Sequence, residues 1–466
     1  MGLLRLSKSL RKLPRTLFKV AVMEFSPVQA GLTSTGGGAL DALAGVNGKI
    51  AYLAGAGGCG MRGAAQWLIS EGWEVWGADS AGWNSEDPLV VAGMKVPSSE
   101  NPFPPVSMAI RSAAVPSEDA GFQLALSSGA HAYSFPEFLG AVSHHRRFVA
   151  IAGSHGKTTV AAWIAYGLHR VGQDVGWLVG AEVPQLPGSS CWGAPGSPLI
   201  VESCEYDRSF LNLTPDQAVL LNVDAEHPDT YPGGLPEVQE AFEGFLATLP
   251  KTGKVFAGPE APNLSESTRA VWQSVPPLDP GVPIGLAGIH NRRNGAVVAA
   301  VLADFGLQPR EIQNALASFR GASRRMEIVG EWEGALIVSD YAHHPREVEA
   351  TLQATREAWP EKRLVVVFQP HQAQRLHAYR EQFAPSLDVA DALLLLEVHR
   401  VRDPDEFQAS VEELLPALEE RFPGRPLAGP VEAIHVPRRL RELLTSDCIV
   451  LFLGAGDVDA IARELV

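Results

Sequence analysis

An α/β architecture built on parallel sheets is the fold class this sequence predicts. Short, nearly continuous apolar runs alternate from Lys49 onward with stretches of helical period, as strands and their crossover helices do in such sheets. Glycine-rich or charged turns follow several of those runs, at the carboxyl ends of strands, where parallel sheets place their ligands. The 466 residues are too many for one core and favour two to four domains.

In chain order, residues 1–47 come first. Arg5, Lys8, Arg11, Lys12, Arg15 and Lys19 precede the first acid, Glu24, and Thr35-Gly36-Gly37-Gly38 follows. No apolar stretch of signal-peptide length comes after the basic residues. The segment therefore reads as a disordered, basic and glycine-rich extension. The expected strands are Ile50–Ala54, Phe148–Ala152, Leu199–Glu202, Ala218–Val223, Ala335–Ser339, Leu364–Phe368, Ala392–Leu396 and Ile449–Leu453. All are nearly continuous in apolar residues, as strands covered on both faces should be. Helical period covers 61–71, 157–171, 235–248, 292–305, 345–358 and 408–421. The stretch Pro259–Pro283 carries no period and reads as a loop or an eroded subdomain. Polar breaks at His144–Arg147 and Gly321–Arg325 divide the body into 48–144, 145–320 and 321–466.

Composition narrows the function classes. A formal charge of −15 repels polyanions and argues against nucleic acid as a partner. Four scattered cysteines, Cys59, Cys191, Cys204 and Cys448, make neither a disulfide framework nor a zinc ribbon. A reducing cytoplasm is the expected location. No apolar stretch reaches the roughly 18 residues of a membrane span.

The strongest motif is Gly153-Ser154-His155-Gly156-Lys157-Thr158-Thr159, placed between an expected strand and an expected helix. Such a turn aims backbone N–H groups and a helix N-terminus at phosphate, with Lys157 as counter-charge and Thr158 placed for Mg²⁺. Ile151 stands where the usual first glycine would be, so the loop is a shortened one. A second cluster, Gly55-Ala56-Gly57-Gly58-Cys59-Gly60-Met61, satisfies G-x-G-x-x-G, with Asp79 downstream. That pattern suits a pyrophosphate on a helix N-terminus, and equally suits close helix–strand packing. Glu202, Glu205, Asp224, Glu226 and His227 also sit at strand ends, and this mixture of carboxylate, imidazole and hydroxyl suits Mg²⁺ beside phosphates. Asp340-Tyr341-Ala342-His343-His344-Pro345, Phe368-Gln369-Pro370-His371 and Leu453-Gly454-Ala455-Gly456-Asp457 follow later strands and outline a crevice.

Taken in order, these segments resemble the Mur ligase family of ATP-dependent amide-forming enzymes. The residues that carry the likeness are GAGGCGMRG at 55–63, GSHGKTT at 153–159, ESCEYDRSFLNLTP at 202–215, NVDAEHPDTY at 222–231, GIHNRRNG at 288–295, SRRMEIVG at 323–330, DYAHHP at 340–345, FQPH at 368–371 and LGAGDV at 453–458. The resemblance implies a Rossmann-like N-terminal domain for the UDP-sugar, a central P-loop ATPase-like domain for ATP, and a Rossmann-like C-terminal domain for the amino acid. It is strongest to the branch that joins L-alanine to the lactyl carboxylate of UDP-N-acetylmuramate through an acyl phosphate.

The resemblance also implies roles. Gly55, Gly57, Gly58, Gly60, Met61 and Ser112 would seat the UDP-sugar. The loop from Gly153 to Thr159, with Asn291, Asn294, Arg325 and Asp340, would hold ATP. Thr158, Glu202 and His227 would place Mg²⁺. Tyr341, His344 and Arg375 would border the amino acid, and Lys157, Glu202, His227, Arg325 and His344 would carry the chemistry. Three departures stand out: 251–287 is short for the family, E-A-D-E becomes Glu202-Ser203-Cys204-Glu205, and the first arginine expected after FQPH is Gln372. Gln372 leaves Arg375 alone to meet the substrate carboxylate. Alternative readings are a ligase that recycles a tripeptide onto the muramyl nucleotide, a weakened homologue that binds the nucleotide-sugar without catalysis, and a dinucleotide-dependent oxidoreductase.

Overall fold

The computed structural model describes residues 48–466 except 195, 402, 404–407 and 446. The expected disordered extension, 1–47, lies outside the described residues. Three sheets follow one another along the chain. The first contains β1 (Ile50–Ala54), β2 (Glu74–Ala78), β3 (Met108–Arg111) and β4 (His131–Ser134), all parallel, in the order β2-β1-β3-β4. The second contains β5 (Phe148–Ala152), β6 (Gly176–Leu178), β7 (Ser190–Cys191), β8 (Leu199–Glu202), β9 (Gln217–Leu220), β10 (Lys254–Ala257) and β11 (Val271–Ser274). Its order is β11-β10-β9-β5-β8-β6-β7, with β7 alone antiparallel to its neighbour. The third contains β12 (Glu327–Trp332), β13 (Ala335–Asp340), β14 (Arg363–Phe368), β15 (Ala392–Leu396), β16 (Leu427–Val431) and β17 (Cys448–Leu453). They are ordered β12-β13-β17-β14-β15-β16, with β12 antiparallel to β13.

The α/β prediction therefore holds, and the buried strands read from apolar runs are present within one to three residues. Pro259–Pro283 is a correction. It carries a 3₁₀ turn, Ser265–Ser267, and the strand β11, which pairs in parallel with β10 from Lys254↔Val271 to Ala257↔Ser274. β11 is a half-exposed edge strand, so it lacks the continuous apolar run that marks its neighbours. The helix expected over 408–421 is split into a 3₁₀ turn, Val411–Leu414, and a helix, Leu415–Arg421. Pro416 explains the break, because it has no N–H for a preceding turn and fits only the first helical positions.

The helix Lys157–Arg170 lies at the centre of the second sheet's packing and is buried from Lys157 to Leu168. Trp163 on it donates Nε1–H to the Ala315 carbonyl at 3.0 Å and stacks on Phe319 at 5.2 Å. Burial of a side chain this large stabilises by about 2–3 kcal/mol, which helps hold the phosphate-loop helix in place. Trp67, from the helix Cys59–Ser70, stacks on Trp192 at 4.3 Å and joins the first sheet's layer to the second. The consequence for function is geometric. The carboxyl ends of β5, β8 and β9 face loops that follow β13.

Candidate functional site

The turn after β5 begins with Gly153 (φ 147°), and Gly156 (φ 85°) caps the following helix. A Cβ at Gly153 would lie 2.8 Å from Leu221 Cβ, and one at Gly156 2.9 Å from Asn294 Oδ1, so neither position admits a side chain without a shift. The backbone N–H of His155 donates to Asn222 Oδ1 at 2.8 Å, which fixes the loop against the strand end of β9. No side chain caps the helix, so its first-turn N–H groups are left for an anion. Lys157 Nζ donates to the carbonyls of Gly153 (2.6 Å) and Ser154 (3.1 Å) and to Glu205 Oε2 (2.8 Å). Burial works against the charge of Lys157, but Glu205 holds it firmly protonated.

Thr158 Oγ1 donates to Glu202 Oε1 at 2.8 Å, while Glu202 Oε2 accepts the Gly180 N–H at 2.8 Å. His227, at φ 52°, turns its Nε2 to within 3.3 Å of Glu205 Oε1. Glu205 is 0 % exposed, and although burial raises a carboxyl pKa, Lys157 and His227 keep it low. Of the three residues expected around a metal, Thr158 and Glu202 are hydrogen-bonded to each other and His227 is turned to Glu205. All three line one cavity of about 620 Å³, together with Ser154, Gly156 and Lys157.

The opposite wall of that cavity comes from the third sheet: Arg324, Arg325, Tyr341 and His343. Both arginines lie over the Tyr341 ring, at 4.7 and 5.2 Å. Arg325 also lines a second cavity, of about 280 Å³, with His155, Gly156, Thr159, Asn291, Asn294 and Asp340. Asn291 Nδ2 donates to the Ala287 carbonyl (2.7 Å) and Asn294 Nδ2 to Asn291 Oδ1 (3.4 Å). Asp340 accepts the N–H groups of Met326 and Ala342, both at 2.8 Å, and burial raises its pKa. The residues expected at ATP thus converge on these two adjoining cavities. Gly153 acts from behind, through its carbonyl on Lys157.

His344 and Arg375, expected beside the amino acid, line neither cavity. They are 3 % and 2 % exposed. His344 Nδ1 accepts the Arg346 N–H at the start of the helix Pro345–Ala358 and lies 3.9 Å from Glu226 Oε1. Arg375 NH2 lies 3.5 Å from Glu226 Oε2. The resemblance put His344 beside the amino acid and among the catalytic residues, but in the structure it caps a helix, and its neighbour His343 lines the larger cavity. Gln372 is also away from the cavities: its Nε2 donates to the Val401 carbonyl at 3.4 Å.

The first glycine loop is separate from both cavities. Gly55 (φ 77°) packs so closely on Ser112 that a Cβ would be 2.8 Å from Ser112 Cβ, and at Gly60 it would be 2.6 Å from the Phe135 ring. Gly57 donates its N–H to Asp79 Oδ2 at 2.8 Å, and Ala81 donates to Asp79 Oδ1 at 3.0 Å. Asp79 therefore ties the loop to itself, where a dinucleotide fingerprint would need that carboxylate on a ribose. Gly58 is exposed and Met61 is buried in the core of the first sheet.

Comparison with known proteins follows the same lines. A family description, "Mur ligase, glutamate ligase domain", matches residues 324–456. The UDP-N-acetylmuramate–L-alanine ligase of Acidithiobacillus ferrooxidans is 32 % identical over 458 residues, covering 89 % of this chain and 96 % of that one. The chain belongs to the Mur ligase family. The same-named ligase of Halorhodospira halophila is 33 % identical over 451 residues, covering 89 % of this chain and 92 % of that relative. Among solved structures, the fold is shared with the UDP-N-acetylmuramate-alanine ligase MurC of Thermotoga maritima (TM-score 0.68, 22 % identity, 90 % of this chain and 98 % of that one). It is shared more loosely with the FolC protein of E. coli in complex with DHPP and ADP (TM-score 0.52, 17 % identity, 71 % and 91 %).

Membership in the family leaves one local feature to explain, the ring of His155. Nδ1 lies 3.2 Å from Glu347 Oε1 and Nε2 3.2 Å from Asp224 Oδ2, and Arg346 pairs with Asp224 as well. The phosphate loop is thereby bridged to the helix Pro345–Ala358. Burial alone would lower the imidazole pKa, but the Asp224 and Glu347 carboxylates outweigh it and push it up to about 10. A raised pKa contributes stability that is complete below the ordinary value of about 6.5 and is lost as pH rises through the folded value. Replacing His155 by Asn should lower the urea midpoint clearly at neutral pH and much less above pH ~10. An equal loss at both values would contradict the charged bridge. Sequence reading missed this bridge and also the partner of Lys157. Glu205 was read only as a strand-end acid suited to Mg²⁺ and Glu347 was not singled out, and no spacing rule pairs residues 48 or 192 positions apart.

Proposed function

We propose that the chain joins L-alanine to the lactyl carboxylate of UDP-N-acetylmuramate at the expense of ATP. The observation that carries the reading is the single cavity in which Lys157, Thr158, Glu202 and His227 face Arg325, Tyr341 and His343. ATP would lie in the smaller cavity with its phosphates toward Gly156 and Arg325, the two residues that, with Glu347, border both spaces. A lactyl oxygen would attack the γ-phosphorus as the bond to ADP breaks, and Lys157 and Arg325 would stabilise the charge spread over the transferring phosphoryl. The amine nitrogen would then attack the acyl carbon, and the carbon–oxygen bond to phosphate would break. His343 Nδ1 lies 2.9 Å from the Tyr341 carbonyl, which suits Nδ1–H as donor and leaves Nε2 free to accept a proton. Burial and Arg375 lower its pKa to about 4, so the ring is neutral. Gly55, Gly57, Gly58, Gly60 and Ser112 would seat the nucleotide of the sugar.

Thr158 and Glu202 are hard oxygen donors turned to each other beside the phosphate loop, and they fit Mg²⁺. The ion would neutralise charge on the phosphates. His227 is a weaker candidate in the geometry seen, because Glu205 already holds its Nε2. Glu202→Gln should raise the Mg²⁺ concentration needed for half-maximal activity, and His227→Ala should raise it less. Identical Mg²⁺ titrations for the parent and both variants would sink the assignment. Among the described residues no helix is long and apolar enough to cross a membrane. The cytoplasm, where ATP is available, is the proposed location.

The whole reading is tested by supplying ATP, Mg²⁺ and UDP-N-acetylmuramate with L-alanine, glycine, L-serine or a free tripeptide, and following phosphate release and product mass. L-Alanine should give the highest kcat/KM. Preference for the tripeptide would replace this reading with the recycling one, and phosphate release without any amide would replace it with a non-ligating homologue.

A further inference from the structure

Three segments far apart in the chain bring two imidazoles and a carboxylate to one point: His155 in the phosphate loop, Glu226 after β9, and His344 at the start of the helix Pro345–Ala358. One donor atom from each lies within 4.8 Å of the other two, and among the described residues no other trio of His, Cys, Asp or Glu side chains comes so close. The rings of His155 and His344 are 5.2 Å apart. We propose that this trio binds a transition-metal cation of the Zn²⁺ class, at a place separate from the Mg²⁺ position beside Thr158 and Glu202.

The donor set selects the ion. Two imidazoles and one carboxylate suit Zn²⁺ or Co²⁺, whereas Mg²⁺ prefers oxygen alone. His155 Nδ1 lies 3.2 Å from Glu347 Oε1, the outer carboxylate contact that keeps the proton on Nδ1 and presents Nε2 as a ligand. Nε2 is 3.2 Å from Asp224 Oδ2, yet neither atom has a hydrogen-bond partner among the described residues. Neighbouring donors in a tetrahedral zinc site are about 3.3 Å apart, so Asp224 is spaced to serve as a fourth ligand. His344 is 3 % exposed and weakly committed: its Nε2 has no hydrogen-bond partner, and its Nδ1 accepts only the Arg346 N–H at a long 3.4 Å. Arg375 lies against Glu226 Oε2 at 3.5 Å, which leaves Oε1, 3.9 Å from His344 Nδ1, for the ion. The Nε atoms of Arg324 and Arg375 are buried without partners too, but a guanidinium is only a donor and cannot ligate a cation. The ion would take the place of the proton on His155 Nε2, which passes to solvent. It would also fasten the second sheet's layer to the third, beside the smaller cavity that His155 and Glu347 line. An ion held only when both layers are in place stabilises the joined form by mass action.

Binding is read without turnover, so the test does not depend on the reaction proposed above. The full-length chain, freed of metal by chelation, is titrated with Co²⁺ at mildly alkaline pH in excess Mg²⁺, and the visible absorption of cobalt is followed. The parent should take up one equivalent with the bands of a four-coordinate site, Zn²⁺ should displace it, and Zn²⁺ should raise the urea midpoint. His344→Asn, which keeps a helix-capping side chain, and Glu226→Gln, which keeps the shape, should each weaken Co²⁺ binding by at least 10- to 100-fold, the loss seen when even an outer partner of a metal ligand is removed. Either variant suffices where the other folds poorly. Glu202→Gln should bind Co²⁺ as the parent does. A parent without the one-equivalent band would overturn the proposal, as would parent-like binding in a folded His344→Asn or Glu226→Gln. Loss of the band in Glu202→Gln would overturn it as well, by placing the ion at the Mg²⁺ position.

Discussion

Lys157→Ala should lower the ligation rate on the order of 10²-fold or more, the usual loss when a positive charge is taken from a transferring phosphoryl. The sequence alone suggests that the fold would be untouched, because a point charge is removed and no apolar volume. The structure changes that expectation. Lys157 is the closest cation to Glu205, a carboxylate with no exposed surface, and deleting one member of a buried ion pair typically costs about 3–5 kcal/mol because the other is stranded. The variant should therefore lose stability as well as activity. Pairing it with Glu205→Gln separates the two effects: the double variant should regain much of the urea resistance and none of the rate. A Lys157→Ala enzyme within a few-fold of the parent rate would exclude the 153–159 loop from catalysis. A double variant as unstable as the single one would show that Glu205 is not the stranded partner.

Arg375→Met should cost about as much stability, on the order of 3–5 kcal/mol, without altering the choice between L-alanine and L-alaninamide, which lacks the carboxylate charge, as acceptors. Glu226 explains both halves of that statement. Burial would raise its pKa, but His344, Arg375 and His155 pull it down to about 2. Glu226 follows β9, whereas Arg375 lies on the helix Ala373–Ser386 after β14. Their contact therefore joins the second sheet's layer to the third. Tyr379, one turn further along that helix, donates to the Ala225 carbonyl at 2.8 Å and reinforces the joint. Because the Glu226 pKa is depressed, its contribution is present above the ordinary value of about 4.5 and is lost as pH falls toward 2. The urea midpoint of the parent should drop over that acid range, and the drop should be smaller in Arg375→Met. A variant within about 0.5 kcal/mol of the parent at neutral pH, the range of an ordinary surface substitution, would remove Arg375 from the interface. A changed acceptor preference would return it to the amino-acid site.

Both predictions depend on details that sequence reading reached unevenly. Strands covered on both faces, such as Phe148–Ala152 and Ala392–Leu396, were legible because burial on two sides demands an unbroken apolar run. Short or edge strands were not: the interior β3, β6 and β10 have only three or four residues, and β4, β11 and β12 are largely half-buried or exposed and carry mixed residues. The phosphate loop was legible because Gly153 and Gly156 are required by positive φ and close approach, a demand that few other residues satisfy. What could not be read was which of two neighbouring side chains faces the cavity. Glu202 ends β8 and Glu205 follows it, yet one bonds Thr158 and the other Lys157. His343 and His344 are adjacent, yet the second is taken up by a helix cap and by Glu226. Such choices are made by tertiary partners far along the chain. Spacing carries no record of them.

The central claim is that one cavity transfers phosphate to the lactyl carboxylate before the amide forms. UDP-N-acetylmuramate labelled with ¹⁸O in both carboxylate oxygens tests it most directly, by mass analysis of the phosphate released with ATP, Mg²⁺ and L-alanine. The account predicts one ¹⁸O atom in each phosphate and the other retained in the amide product. Unlabelled phosphate, accompanied by an amide or not, would contradict it.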